Sequence, residues 1–401
     1  MHSGPMVEFG TTGAPSSGSQ RSLRILHVFR APLGGLFRHV QDLARAQIER
    51  GHAVGIFCDS RTGGARGDAM LASLEPLLAL GLTRAPMRRN PHPSDLVALA
   101  ALRRLTRKIK PDIIHAHGSK GGVYGRLPAL FRRDRILRAY TPHGGSLNHR
   151  PGSAVHWIYM RIEALLGRVT DLFTFESGFI AGRYLAYVGQ PRALSRVIWN
   201  GLHRHEFKPV ISAPNASSLL YIGEFRAAKG IPTLIQALCL LRQRGEPVSI
   251  TLVGSGPDED ELRGALARLG LASSATILPP QPAREAMRFG RVMVVPSRAE
   301  SLPYVILEAA AAQVPLIATK VGGVPEIFGP FASELLPWDD PMALADAIAN
   351  RLEMPVGELR ERASALAAFV EQRFSVTKMA DGVLAAYREA MALRSPARQQ
   401  P

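Results

Sequence analysis

A chain of 401 residues, 46% of them hydrophobic, is long for one core and natural for two. Its formal charge of +16 is lopsided: residues 1–200 hold 28 Lys and Arg against 12 Asp and Glu, whereas residues 201–401 hold 21 of each. Two cysteines, Cys58 and Cys239, exclude a disulfide framework; no apolar run reaches the ~18 residues of a spanning helix, and the N-terminus lacks the basic and apolar segments of a secretory leader, so a cytoplasmic protein is expected.

Residues 1–21 form a Gly/Ser/Thr tail without periodicity, expected to be disordered. Short apolar runs at 24–29, 53–58, 112–115, 136–140, 172–175 and 196–199 then read as strands. Amphipathic stretches at 36–50, 94–109 and 153–168 lie between them, and the apolar stripe of the last, with Trp157 and Tyr159, reads as core. After a Pro- and Asn-containing connector at 208–215 the pattern restarts, with strands at 219–222, 249–253, 276–278, 292–295 and 316–318 and helices at 231–244, 258–269, 304–312 and 341–353. Helices near 356–372 and 375–393 complete the chain. Such alternation predicts α/β architecture, each parallel sheet covered on both faces. The expected division is a tail at 1–21, one unit at 22–205, a second at 206–375, and a final helix with its tail at 376–401.

An open parallel sheet binds ligands beyond the carboxyl ends of its strands, so motifs at strand ends are the candidates. Gly34-Gly35 follows the first strand; it is either a tight turn or a close backbone approach to a ligand, and it is not the G-x-G-x-x-G of a nicotinamide enzyme. His143, in Thr141-Pro-His-Gly-Gly145, ends another strand and reads as a buried structural histidine or a ligand contact. His115 and His117 invite a metal, but spacing supplies no third ligand, and no metal is expected. In the second half, Arg226 and Lys229 precede Gly230, where two cations would neutralise a diphosphate at a helix start. Gly254-Ser-Gly256 is a strand-to-helix turn. Ser297 to Glu308 follows a buried strand, with Ser301 placed to cap a helix, Pro303 in its first turn, and the amides around Ser301 and Leu302 forming an anion site. Glu300 would lie above that site and Glu308 on the helix below it, spaced for the hydroxyls of a sugar joined to a nucleoside diphosphate.

Glu300 to Glu308 resembles the E-x7-E signature of family 4 retaining glycosyltransferases (glycosyl transferases group 1). Tyr221-Ile-Gly-Glu-Phe-Arg226-Ala-Ala-Lys229-Gly230, Leu252-Val-Gly254-Ser-Gly256-Pro-Asp258 and Gly322-Gly323-Val-Pro-Glu326 fall in that family's order, and Gly34-Gly35 and Thr141-Pro-His143-Gly144 match its N-terminal half. The resemblance covers roughly residues 24–390. It implies the GT-B fold, two Rossmann-like domains facing across a cleft, with an acceptor-binding N-terminal domain, a nucleotide-sugar-binding C-terminal domain and a last helix crossing back to the first. It implies that His143 contacts the donor sugar, Glu300 its hydroxyls and Glu308 the ribose. Gly34, Gly35, Gly254, Ser301 and Leu302 would line the donor, Gln281 the base, and Arg226 and Lys229 the diphosphate. Family members more often carry the arginine immediately after the first glycine, where this chain has Glu224.

The expected activity is transfer of a hexose from a UDP- or GDP-sugar to a glycan or lipid-linked acceptor, without cofactor or metal, for surface polysaccharide or glycolipid. A sugar-nucleotide epimerase on a similar frame and a catalytically silent nucleotide-sugar-binding subunit are the alternatives. The basic clusters at 88–89, 103–110 and 132–138 suit an anionic membrane surface or acceptor, or are solvated helix faces of an arginine-rich chain. Without an aromatic-interleaved basic strand or a recognition helix, nucleic acid is not expected as a partner.

Overall fold

Runs of branched apolar residues without polar alternation are buried on both faces, and the chain folds them into two parallel sheets. The computed structural model describes residues 21–131 and 135–394, so the expected disorder of residues 1–20 and the cluster at Arg132 and Arg133 lie outside the described residues. The first sheet contains β1 (Arg24–Val28), β2 (Ala53–Asp59), β3 (Leu82–Ala85), β4 (Ile113–His117), β5 (Leu137–Thr141), β6 (Leu172–Phe175) and β7 (Leu194–Val197), in the order β3-β2-β1-β4-β5-β6-β7. The second contains β8 (Ser217–Ile222), β9 (Ile250–Val253), β10 (Ala275–Leu278), β11 (Gly290–Val295) and β12 (Leu316–Ala318), in the order β10-β9-β8-β11-β12. Strand order reverses between β1 and β4 and again between β8 and β11, which makes the loops leaving those four strands the natural ligand-binding positions.

Around the first sheet lie α1 (Gly34–Glu49), α2 (Gly64–Leu74), α3 (Ser94–Ile109), α4 (Gly118–Phe131), α5 (Ala154–Gly167) and α6 (Gly178–Tyr187). With the second come α7 (Ile231–Gln243), α8 (Glu259–Arg268), α9 (Ala283–Ala286), α10 (Tyr304–Ala311), α11 (Val324–Phe328), α12 (Pro341–Glu353) and α13 (Val356–Arg373). The last helix, α14 (Val376–Arg394), packs Met379, Val383, Leu384 and Tyr387 against Ile25, Leu43 and Ile113 of the first sheet and α1. The two chain crossings run side by side. Leu202 donates its N–H to Phe374 O at 3.0 Å and accepts from Val376 N–H at 3.0 Å, and a Cβ on Gly201 would lie 2.4 Å from the backbone of Ser375.

Several elements depart from the sequence reading. β7 begins two residues before the expected run, and β3, α2, α4 and α6 were not anticipated. The glycines of α4 explain its illegibility. A Cβ on Gly121 would lie 2.5 Å from Val28 O and one on Gly125 2.8 Å from Ala116 Cβ, so the helix lays its backbone on the sheet where a larger residue would hold it off. The reading of Trp157 as core is overturned: it stands 60% exposed, while Tyr159 is half-buried and stacks on His149.

Leu384 is 2% exposed at the seam between α14 and the first sheet. Leu384→Ala should lower unfolding free energy by about 2–5 kcal/mol, measured by denaturant titration.

Candidate functional site

The C-terminal side of the cleft is built from backbone contacts that only glycine allows. Gly230, at φ +77°, carries the turn after β8 so close to β11 that a Cβ would meet Pro296 O at 1.8 Å. This sets Lys229 beside the loop leaving β11. Its Nζ donates to Glu300 Oε1 at 2.7 Å, and Ser297 Oγ donates to the same oxygen at 2.8 Å. Gly322, at φ +58°, lies against that loop, where a Cβ would meet Glu300 O at 1.8 Å, and Gly323 N–H donates to Ser301 O at 2.7 Å. Glu300 is thus fixed from three directions.

α10 starts at Tyr304, with Pro303 at its N-cap, so Ser301 lies two residues outside the cap position and its side chain does not cap the helix. The first-turn amides of α10 still lack intrahelical acceptors. Arg226 also departs from expectation. Its guanidinium donates to Glu224 Oε1 at 2.8 Å, an exposed pair, and among the described residues it makes no bond to Lys229 or Glu300. Behind it, Asp258 accepts from Ala227 N–H at 2.7 Å, and Gly254 lets the β9 exit loop approach Gly223 O, which a Cβ would meet at 1.9 Å. Gln281 is half-buried in the turn between β10 and α9, on the same carboxyl edge.

Opposite stands the N-terminal side. Gly34, at φ +69°, opens α1, and a Cβ on Gly35 would lie 3.3 Å from Tyr304 across the cleft. His143 follows β5 in the left-handed region at φ +51°, and its N–H donates to Glu176 Oε2 at 3.2 Å. A Cβ on Gly144 would meet Ser301 Oγ at 2.2 Å. His143-Gly144 therefore faces Glu300-Ser301, and Lys229, Glu300 and His143 border one cleft.

Behind His143 runs a chain of imidazoles. Gln47 Oε1 can only accept, so His27 donates from Nε2 at 2.8 Å; His27 Nδ1 then accepts from His117 Nε2 at 3.0 Å, and His117 Nδ1 accepts from His143 Nε2 at 3.2 Å. Neutral rings fit this chain. Burial pulls His27 and His39 down to about 4, and burial together with neighbouring imidazoles holds His115, His117 and His143 well below the ordinary value. Where sequence spacing supplied no third ligand, the fold does: ring nitrogens of His27, His115 and His117, and of His39, His117 and His143, lie within 4.8 Å of one another. Most are engaged as hydrogen-bond partners, His115 with Tyr387 and Thr141 and His39 with Asn200. His117 is 1% exposed and backs His143.

Sequence reasoning missed four polar residues of the site, and three of them, Arg38, Asn200 and Glu326, join its two sides. Arg38 of α1 pairs with Glu308 of α10, donates to Glu206 at 2.6 Å and stacks on Tyr304 with its Cζ 4.5 Å from the ring centre. Asn200 accepts from His39 at 3.0 Å and donates to Leu302 O at 3.0 Å. Glu326, quoted above only as part of a motif, accepts from Gly178 and Phe179 N–H at the start of α6 and from Trp199 Nε1 at 2.7–2.9 Å. Glu176, 1% exposed, is pushed up to about 7 by burial. No local pattern marks these residues, because their partners lie 100 or more positions away or across a loop.

Two family models match the chain: Glycosyltransferase Family 4 over residues 33–206 and Glycosyl transferases group 1 over residues 216–354. The chain is a family 4 glycosyltransferase. Similar proteins of this kind include the alpha-D-kanosaminyltransferase of Streptomyces kanamyceticus, 32% identical over 43% of this chain and 45% of the relative, so this match spans less than half of that protein. The D-inositol 3-phosphate glycosyltransferase of Acidothermus cellulolyticus is 28% identical over 97% of this chain and 94% of its own. Among solved structures, Anabaena HepE in complex with UDP-glucose has a TM-score of 0.75 at 21% identity, and sucrose-phosphate synthase from Thermosynechococcus elongatus 0.76 at 22%. These cover 92% and 93% of this chain and 100% of each structure, and they show the GT-B fold. Among the described residues no helix is long and apolar enough to cross a membrane.

The imidazole chain makes stability depend on pH. An unfolded chain takes up protons on His27 and His39 from pH 6.5 downwards, whereas the folded one resists until about 4, so stability present at neutral pH is lost as pH falls through that window. Glu176 acts oppositely, as one carboxyl against five imidazoles. Melting temperature should fall between pH 6.5 and 4, and more shallowly in His27→Gln.

Proposed function

We propose that this glycosyltransferase moves a hexose from a UDP- or GDP-sugar to a carbohydrate or lipid-linked acceptor, with retention and without a metal, in the building of surface polysaccharide or glycolipid. The observation that carries this is the cation and carboxylate of Lys229 and Glu300, held together at 2.7 Å beside the first turn of α10, with His143-Gly144 directly across. The kinship with glycosyltransferases and the fold shared with a UDP-glucose-bound protein support it.

In this reading the diphosphate lies on the first-turn amides of α10 with Lys229 beside it, so negative charge is stabilised as the bond between anomeric carbon and phosphate oxygen breaks. Glu300 accepts from sugar hydroxyls. Its oxygen also receives Ser297 and Lys229, which keeps the carboxylate aimed. His143 presents Nδ1 as a lone pair, because Nε2–H is committed to His117, and so accepts from a donor hydroxyl. Glu308 takes the ribose once Arg38 turns to its remaining partners, Glu206 and Asp42. The acceptor oxygen attacks from the face the phosphate leaves, its proton passing to the departing phosphate oxygen, and the configuration is retained. The N-terminal domain binds the acceptor, and a lipid-linked acceptor would bring the protein to the inner face of a membrane.

Lys229→Ala should reduce kcat about 10²–10³-fold while the fold survives. Glu308→Ala should abolish donor turnover, and unchanged transfer in that variant would remove the ribose assignment. A thermal-shift panel of nucleotide diphosphates and their sugars identifies the donor, since only a ligand of the folded state raises the melting temperature. No response to any of them would overturn the reading. Donor incubated alone separates the epimerase, which would yield an isomerised sugar, and binding without transfer to any acceptor would favour a silent subunit.

A further inference from the structure

α5 is held by one polar anchor on its inner side. Glu163, the single acidic residue of the helix, is buried and accepts from Arg126 at 2.8 Å, Tyr140 OH at 3.0 Å and Ser146 Oγ at 2.8 Å. His156, Met160 and Leu166 complete that inner face. The opposite face is apolar and bare. Val155, Ile158, Ile162 and Leu165 recur at helical spacing and are 37–49% exposed, Trp157 beside them is 60% exposed, and Arg161 stacks on the Trp157 ring at 5.0 Å. Leu185 on α6 is exposed as well, and α6 touches α5 through Tyr187 and His156.

Exposed charge along the chain from Gly145 to Arg192 has one sign. Between Gly145 and Arg192 the only carboxylates are Glu163, Asp171 and Glu176; two are buried, and the third is half-buried and accepts from Arg138 N–H at 2.7 Å. Arg150, Arg161 and Arg168 are exposed. An apolar stripe carrying an aromatic ring and flanked by arginines, with no exposed acid between Gly145 and Arg192, complements an anionic lipid surface: rings and aliphatic chains enter the interfacial layer and guanidiniums meet headgroup phosphates. A second copy fits poorly, since a two-fold contact through this face would set arginines against arginines.

We infer that the outer face of α5, with Trp157 and Arg161, docks this glycosyltransferase on an anionic bilayer. The inference rests on the lipid-linked acceptor reading and adds its geometry: the turn Gly145–Asn148 follows His143-Gly144 and is tied to α5 through Ser146 and Glu163, so a bilayer touching the helix lies beside the cleft mouth.

The test is co-sedimentation of the full chain with phosphatidylcholine vesicles, with and without phosphatidylglycerol. Wild-type protein should bind the anionic vesicles and release as salt rises, and the double variant Trp157→Ser/Ile158→Ser should bind at least about tenfold more weakly. Its melting temperature and its donor turnover with a soluble acceptor should stay at wild-type values, because neither side chain borders the cleft. Equal binding by the variant, or no wild-type binding, overturns the assignment, as does a wild-type dimer in light scattering that the double variant dissociates. Failure on vesicles with intact turnover sinks this surface alone; loss of turnover is the separate matter read by Lys229→Ala.

Discussion

Everything in the cleft depends on polar groups of one domain being satisfied by the other. Loops at the carboxyl ends of parallel strands carry unpaired amides and charges, and a charge removed from water is tolerated only when it is paired. Arg38 meets this requirement with Glu308, Glu206 and Asp42, Glu326 by closing the start of α6, and Asn200 by bridging His39 and Leu302 O. The same contacts set the distance between the sheets. Any ligand group that takes Glu308 must first displace Arg38.

Lys229 and Glu300 are held by contacts made through missing side chains. Gly230 and Gly322 bring two loops within backbone distance of the β11 exit, and Lys229 and Glu300 meet as a result. Any larger residue at either glycine would push the loop away and pull the pair apart. On the other side the imidazole chain has the complementary effect. A buried amide oxygen at Gln47 fixes, three rings away, which nitrogen of His143 carries the proton.

Much of this was legible before the fold was known. The strands that form each sheet's centre are dense in Val, Ile and Leu and stood out at once, whereas β3 is an edge strand, Leu-Thr-Arg-Ala, with only Ala85 fully buried, and carries no such signal. α4 hid because four glycines and Pro128 contradict helix propensity, and tertiary packing supplied what propensity withheld. The stripe of α5 misled because periodicity reports that a face is apolar and not what covers it. Glu300, Glu308 and Lys229 were singled out because a family resemblance supplied their expected roles; the partner of Glu308 was not, since Arg38 stands 270 residues away. The guanidinium of Arg226 is taken by a local partner, the carboxylate of Glu224 two positions earlier.

The paired crossings at Leu202 and Ser375 have a mechanical consequence. A single linker would let two bodies swivel and drift about a point, but two strands of chain bonded side by side remove torsion and lateral slip. What remains is a swing about one line, the motion of a book about its spine. Opening wide enough to admit a substrate and shutting on it would then retrace one path, returning Glu300 to the same place opposite His143 in every cycle.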